Sequence, residues 1–313
     1  MDKVNDIYVR AYTLQLDAKR REKHRTNEPR WCNHALVWDA ESKITPDQTL
    51  TFGFWRFCEL QNREYVALEE GIFHENSLSA EELAILRNFA RKQKAETVEG
   101  GCDRIRLYSR STFIDEVLGL SIQAHAYIAN FQASFDLSRI CVAWETAQNG
   151  GWSLILSQWK NPKTKKLQAN KFFPRIVIKA LNSKTAITHS TRAPMSERSR
   201  KTNKAKLWPR ARFLDVRTLL WALRNRSYSL ESACRELKTA HQKIDHTPTG
   251  KVTVDEIEYA RNDVACTVDL LNAVKQEFDL HPIAPGPDRM FSPASVAKSY
   301  LNELNILHPS EKV

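Results

Sequence analysis

The apolar run Ala35-Leu36-Val37-Trp38 ends on Asp39 and continues through Ala40 to a second acid, Glu41. A short unbroken apolar run of this kind reads as a buried strand, and the two-residue period of a strand puts Asp39 and Glu41 on the same side. Two carboxylates held there repel each other unless a cation sits between them.

The pattern around that strand is mixed. Thr49 to Cys58 and Glu64 to Phe73 read as further strands, with polar Gln61-Asn62-Arg63 as a hairpin connection, so three antiparallel strands open the domain. Ser79-Ala80-Glu81-Glu82 fits a helix start, with Leu83, Leu86, Phe89 and Ala90 as its buried stripe. A short strand around Arg104 to Tyr108, a helix from Thr112 and a strand at Ala126 to Phe131 follow, the last delivering Asp136. Arg212 to Val216 reads as a strand, with helices near Arg217 to Leu223 and Leu230 to Leu237. A long helix from Val254 to Phe278 closes the core, and within it Tyr259 and Asp263 stand at i, i+4, so phenol and carboxylate share a face. Strands followed by alternating helices and strands predict an α/β fold, a mixed sheet flanked by helices.

Asp39, Glu41, Asp136 and Asp263 together look like a divided two-metal site, and oxygen-only ligands suit Mg²⁺ or Mn²⁺ rather than zinc. Asp215 is the rival acid; its place before a helix makes it a cap instead. The nine histidines form no metal-ligand spacing, and the six cysteines show no C-x2-C pairing, so they read as reduced core thiols of a cytoplasmic protein. No run approaches the ~18 apolar residues of a membrane span, and the N-terminus lacks an apolar signal core.

The charge is concentrated. Between Lys160 and Arg212 there are 10 Lys and 6 Arg against one acid, Glu197, a net of +15 in a chain whose total is +10. An extended hairpin opens this region, Trp152 to Trp159 and Phe173 to Leu181 around the turn Asn161 to Lys166; a low-hydrophobicity stretch from His189 to Arg212 follows. Lys163, Lys165, Lys166, Arg198, Arg200, Lys201, Lys204 and Lys206 are candidate phosphate contacts, since neutralising phosphates releases counterions and supplies sequence-independent affinity. Trp159 and Trp208 are weighed as base-stacking residues against the commoner role of tryptophan in a core.

Trp38-Asp39-Ala40-Glu41-Ser42, Phe135-Asp136 and Tyr259-Ala260-Arg261-Asn262-Asp263 stand in an order that resembles the three motifs of the DEDD 3′→5′ exonucleases, in the subgroup whose third motif is Tyr-x3-Asp. The likeness is greatest to the exonuclease domain of family B DNA polymerases and covers roughly residues 33 to 278. It implies a ribonuclease-H-like fold with the basic hairpin and loop, about residues 152–212, as an insertion. It also implies a metal-dependent 3′→5′ exonuclease with two Mg²⁺ or Mn²⁺ ions and Asp39, Glu41, Asp136, Tyr259 and Asp263 as catalytic residues. Ser42, Asn130 and Phe135 would meet the nucleic acid; Gln132, at the spacing usual for the second motif, is the alternative to Asn130. DNA with single-stranded or frayed 3′ ends is the expected partner, RNA the alternative, and a polymerase or replication protein a further candidate. A silent nucleic-acid-binding module is the competing class. Residues 1–30 read as a charged arm, 31–280 as the exonuclease domain, and 281–313 as a Pro- and Gly-rich linker with a helix that could begin another unit; the chain stops with no room for a polymerase palm, so it is either part of a longer protein or a free-standing exonuclease.

Overall fold

The computed structural model of the chain describes residues 30–147, 150–170, 173–180, 187–192, 208–304 and 306. The N-terminal arm and Arg198, Arg200, Lys201, Lys204 and Lys206 lie outside the described residues.

Three antiparallel strands come first: β1 (His34–Ser42), β2 (Leu50–Gln61) and β3 (Glu64–His74). Helix α1 (Ala80–Lys92) starts where its sequence said it would: the Ser79 hydroxyl accepts the Glu82 N–H and the Glu82 carboxylate accepts the Ser79 N–H. After β4 (Arg106–Ser109) come α2 (Arg110–Thr112), a π-helical turn over Phe113–Leu118 and α3 (Gly119–Gln123). Strand β5 (Tyr127–Asn130) feeds α4 (Ala133–Arg139), which carries Asp136. The next stretch holds β6 (Ala143–Thr146), β7 (Trp152–Ile155), β8 (Gln158–Lys160), β9 (Leu167–Ala169), β10 (Arg175–Ala180) and β11 (Ile187–Arg192). The chain then runs through β12 (Arg212–Asp215), α5 (Val216–Arg224), α6 (Leu230–Leu237), α7 (Val254–Asp279) and α8 (Pro293–Glu303).

The main sheet has six strands in the order β12-β5-β1-β2-β3-β4, and β1, β5 and β12 are mutually parallel neighbours. The register pairs Val37 with Ala129 and Leu214 with Ala129, so the three parallel strands end together, near Asp39, Asn130 and Asp215. Apolar side chains alternate along β1 and fill two cores, Ala35 and Val37 in one, Leu36, Trp38 and Ala40 in the other. The first core is covered by α7 through Ile257, Ala260 and Val264, so the period that buries Val37 turns Asp39 and Glu41 towards the α7 side. On the opposite side Gly53, paired with Ala40, leaves room for the Phe73 ring; a Cβ there would lie 2.2 Å from Phe73 Cζ.

The hairpin departs from expectation. Trp152 to Trp159 does not form one strand: β7 pairs with β10 in a four-stranded sheet of order β11-β10-β7-β6, and β8 pairs only with β9. The break falls at Leu156, whose carbonyl accepts a hydrogen bond from the buried Arg110 guanidinium at 3.2 Å, while another from the same nitrogen reaches Ile140 O at 3.0 Å. Helix α8 adds Val296 to the first core, and Tyr300 is hydrogen-bonded to His281 at 2.7 Å, so the C-terminal helix packs on this domain. No helix among the described residues is long and apolar enough to cross a membrane.

One buried ionic cluster fixes α7 to the sheet. Glu70 on β3 is fully buried and accepts from Arg56 Nε (3.0 Å), from Arg261 Nε (3.0 Å) and Nη2 (2.6 Å), and from the Glu96 N–H (2.8 Å). Burial pushes the Glu70 carboxyl up, but Arg261 and Arg56 outweigh it and hold it below its usual range. Arg261 sits between Tyr259 and Asp263 in sequence, so this cluster sets how α7 presents them. Glu70→Ala removes the one buried acceptor shared by both guanidinium groups, leaving Arg56 the half-exposed Glu96 and Arg261 the Lys94 carbonyl and Glu96, and is expected to cost about 3–5 kcal/mol in urea-unfolding free energy; a loss under about 1 kcal/mol would mean that the cluster contributes no more than an exposed ion pair.

Candidate active site

Four carboxylates from three elements meet at the end of β1. Asp39 and Glu41 are half-buried on the strand; Asp136 on α4 and Asp263 on α7 are buried, at 1% and 6% exposure. Asp39 and Asp136 lie within hydrogen-bonding reach of each other, and the Ala40 N–H serves both. Burial first, then the Asp263 charge, pushes Asp39 up to about 7, against the pull of Lys243. Burial followed by repulsion from Asp39, Asp263 and Glu256 holds Glu41 well above the usual carboxylate range, and burial with Asp39 does the same to Asp136. Asp263 is raised by burial, with Lys243 opposing.

The neighbours divide into supports and walls. Asn130 is fully buried; its amide donates to Trp38 O at 2.7 Å and to Asp136 Oδ2 at 3.0 Å, tying β5 to β1 and aiming Asp136. The expectation that Asn130 meets nucleic acid is corrected accordingly, since a side chain without exposure acts through Asp136. Gln132, exposed beside the cleft, accepts from Arg217 at 3.3 Å. Asp215 is a cap: its oxygens accept from Thr218 N at 2.8 Å and Ala133 N at 3.0 Å, joining the starts of α5 and α4. Phe135 lines the cleft, with the Arg139 guanidinium 4.7 Å above its ring. Ser42 follows a register shift at the end of β1 and is not part of the cleft wall. Lys163, Lys165 and Lys166 are exposed at the β8–β9 turn, whereas Trp208 is a core residue, 6% exposed and edge-on to Phe173, so its stacking role is withdrawn.

Lys243 is the residue that sequence reasoning missed. Its ammonium donates to Asp263 Oδ2 and to the Tyr259 phenol, each at 2.6 Å. The loop carrying it is pinned to α7 by His241 N to Asp269 at 2.7 Å and Asn262 Nδ2 to Gln242 O at 2.9 Å. Burial disfavours its charge, but Asp263 more than compensates and raises it. Lys243 sits in a loop with no period to reveal it, and 16 positions before Tyr259, so no local signal pointed to it. Tyr259 is further held by the His246 ring, 4.9 Å away, and burial pushes its phenol up to about 12.

The cleft, about 530 Å³, runs from Asp39, Asp136, Asp263 and Lys243 to a wall containing Phe131, Phe135, Arg217 and Tyr228. Among the described residues no three His, Cys, Asp or Glu side chains form a ready-made metal cage. The donor chemistry nevertheless suits a hard divalent cation: all four groups are carboxylates, and the buried Oδ1 of Asp263 has no hydrogen-bond partner. Neither the family models nor the curated proteins contain a match to this chain.

A carboxyl that binds its proton more tightly when folded favours the fold below its ordinary value, 3.8 for Asp39, and loses that contribution as pH rises through about 7. The metal-free protein is expected to lose Tm between about pH 4 and 7, and Asp39→Asn to flatten that decline. A wild-type Tm that climbs over this interval in buffered thermal melts would show that the carboxylates are not repelling.

Proposed function

We propose that the protein is a metal-dependent 3′→5′ exonuclease acting on single-stranded or frayed nucleic acid ends, DNA in the first instance, on a ribonuclease-H-like fold. The observation that carries this reading is the convergence of Asp39, Asp136 and Asp263 from β1, α4 and α7 on one cleft, with Glu41 behind them close enough to feel the Asp39 and Asp263 charges, and an acceptor oxygen of Asp263 buried and unpartnered. The antiparallel β1-β2-β3 start continued by parallel β5 and β12 supports the fold assignment. The motif order supports the chemistry.

Asp39, central in the cluster, together with Glu41, Asp136 and Asp263 would hold two Mg²⁺ or Mn²⁺ ions. Such a pair, when bound, lowers the pKa of an attacking water and stabilises the entering and leaving oxygens of the phosphodiester. Tyr259 orients the nucleophile: its oxygen accepts from the Lys243 ammonium that also pairs with Asp263, so one cation holds phenol and carboxylate together. Asn130 keeps Asp136 in place, and Phe135 with Phe131 gives the cleft an apolar wall on which a terminal base can rest.

A silent nucleic-acid-binding module is the second reading, and the Lys243 to Asp263 ion pair favours it, because an internal cation neutralises that acid without metal. The two separate on a 5′-labelled single-stranded DNA incubated with Mn²⁺, Mg²⁺ or EDTA. A metal-dependent ladder shortening from the 3′ end is expected, reduced to background by Asp39→Ala or Asp263→Ala and slowed about 10²-fold by Tyr259→Phe through loss of water alignment. Binding without cleavage at any metal concentration would sink the exonuclease and leave the module; matched DNA and RNA strands then assign the sugar.

A further inference from the structure

Three tryptophans stand out of the inserted region. Trp144 on β6, Trp152 on β7 and Trp159 on β8 are 62%, 50% and 45% exposed, in a protein that buries Trp38, Trp55 and Trp208 almost completely. The register pairs Trp144 with Leu154 and Thr146 with Trp152, so Trp144 and Trp152 are diagonal neighbours, roughly 7–8 Å apart along the backbone, at the exposed margin of the face whose Leu154 enters the core. Strand β6 is the edge of its sheet, which leaves the Trp144 side open.

The surroundings are basic and polar rather than greasy. Between Gln158 and Asn170 the chain has four lysines, Lys160, Lys163, Lys165 and Lys166, and no acid, and all four side chains are exposed. Thr146 and Gln158 are exposed beside the indoles, so the tryptophans are not part of one contiguous apolar patch of the kind a protein partner covers. Exposed aromatic faces followed along the chain by a lysine-rich hairpin match a different occupant, a flexible polyanion with flat rings: each base has a π-face to stack, and each phosphate a charge to neutralise.

The platform is keyed to the cleft. Arg110, 4% exposed, donates to Ile140 O just after the Asp136 helix and to Leu156 O just after the Trp152 strand, locking the two elements together. Trp144 follows Asp136 by eight residues, which limits their separation to roughly 29 Å even for a fully extended chain.

We propose that Trp144, Trp152 and Trp159 form a stacking platform for the bases of a single-stranded nucleic acid, with the β8–β9 lysines on its phosphates, holding the strand upstream of the end that enters the cleft. The placement of that end rests on the exonuclease reading; the platform itself does not. The test is fluorescence anisotropy of the full chain with a 5′-fluorescein oligothymidylate of about 20 nucleotides in EDTA, across a salt titration. Trp144→Ala and Trp152→Ala are each expected to weaken binding about tenfold, while the Phe variants retain most of the affinity and all four leave the salt slope unchanged. Lys163→Ala with Lys165→Ala and Lys166→Ala should instead reduce the salt slope, by about 0.7 for each phosphate no longer neutralised. Affinity within about twofold of wild type in the Trp144→Ala/Trp152→Ala double variant, or Phe variants as weak as the Ala variants, would overturn the platform. So would a wild-type dimer on size exclusion that the double variant dissociates without change in DNA affinity, which would assign the face to a second copy. Because binding is read without metal, a protein that never cuts DNA but loses affinity in the alanine variants would fail as an exonuclease and keep its platform. One that cuts and binds DNA equally well without the indoles would do the reverse.

Discussion

Everything around the cleft answers one constraint, the concentration of four carboxylates where three parallel strands end. In water such groups would separate; here Asp39 and Glu41 are fixed by the pleat of β1, Asp136 by the start of α4 and Asp263 by the axis of α7. None can withdraw without moving an element that is also part of a core. The repulsion is therefore met locally, by the Ala40 N–H, by the Asn130 amide, and by the Lys243 ammonium. Each device works at short range, which is why the cluster depends on the accuracy of the scaffold beneath it.

That scaffold was largely readable because it is periodic. The ends of β3, α6 and α7 fall within a residue or so of the limits that alternation, capping and helical spacing suggested, and Asp215 caps α5 as its position implied. Pattern failed where a remote side chain intervened. Trp152 to Trp159 has the composition of one strand, but Arg110, more than forty positions earlier, takes the Leu156 carbonyl and diverts the chain. The same limit applies within the site. Asp39, Glu41 and the Tyr259 to Asp263 pair announce themselves by spacing on a single element. The buried role of Asn130 depends on a contact with Trp38 on a different strand, and Lys243 reaches Asp263 from a loop; neither relation has a local signature.

The small sheet follows the same division of labour. One of its faces contributes Leu154, Ile176 and Ile178 to the second core, so it is a continuation of the domain rather than an appendage. At the margin of that face Trp144 and Trp152 are left to solvent, as are Trp159 and the lysines of the β8–β9 hairpin. Burying tryptophan is worth far more than exposing it. Three exposed indoles in a chain with a well-filled core thus point to a surface shaped by something other than folding.

Helix α7 makes the contrast between scaffold and site within two of its own residues. Through Arg261 it engages Glu70, a carboxylate with both oxygens taken by guanidinium groups and a backbone N–H; that acid is held charged and has no capacity left. Two residues later it presents Asp263, buried at the wall of the cleft, with one oxygen paired to Lys243 and the other unpartnered. Leaving a buried acceptor unsatisfied costs on the order of 1–3 kcal/mol, a penalty the fold avoids at Glu70. An enclosed carboxylate with every lone pair satisfied is architecture. One that keeps an oxygen in reserve, beside three others that share its charge, has capacity left for the cation proposed above, and that difference separates the two acids more sharply than burial or charge alone.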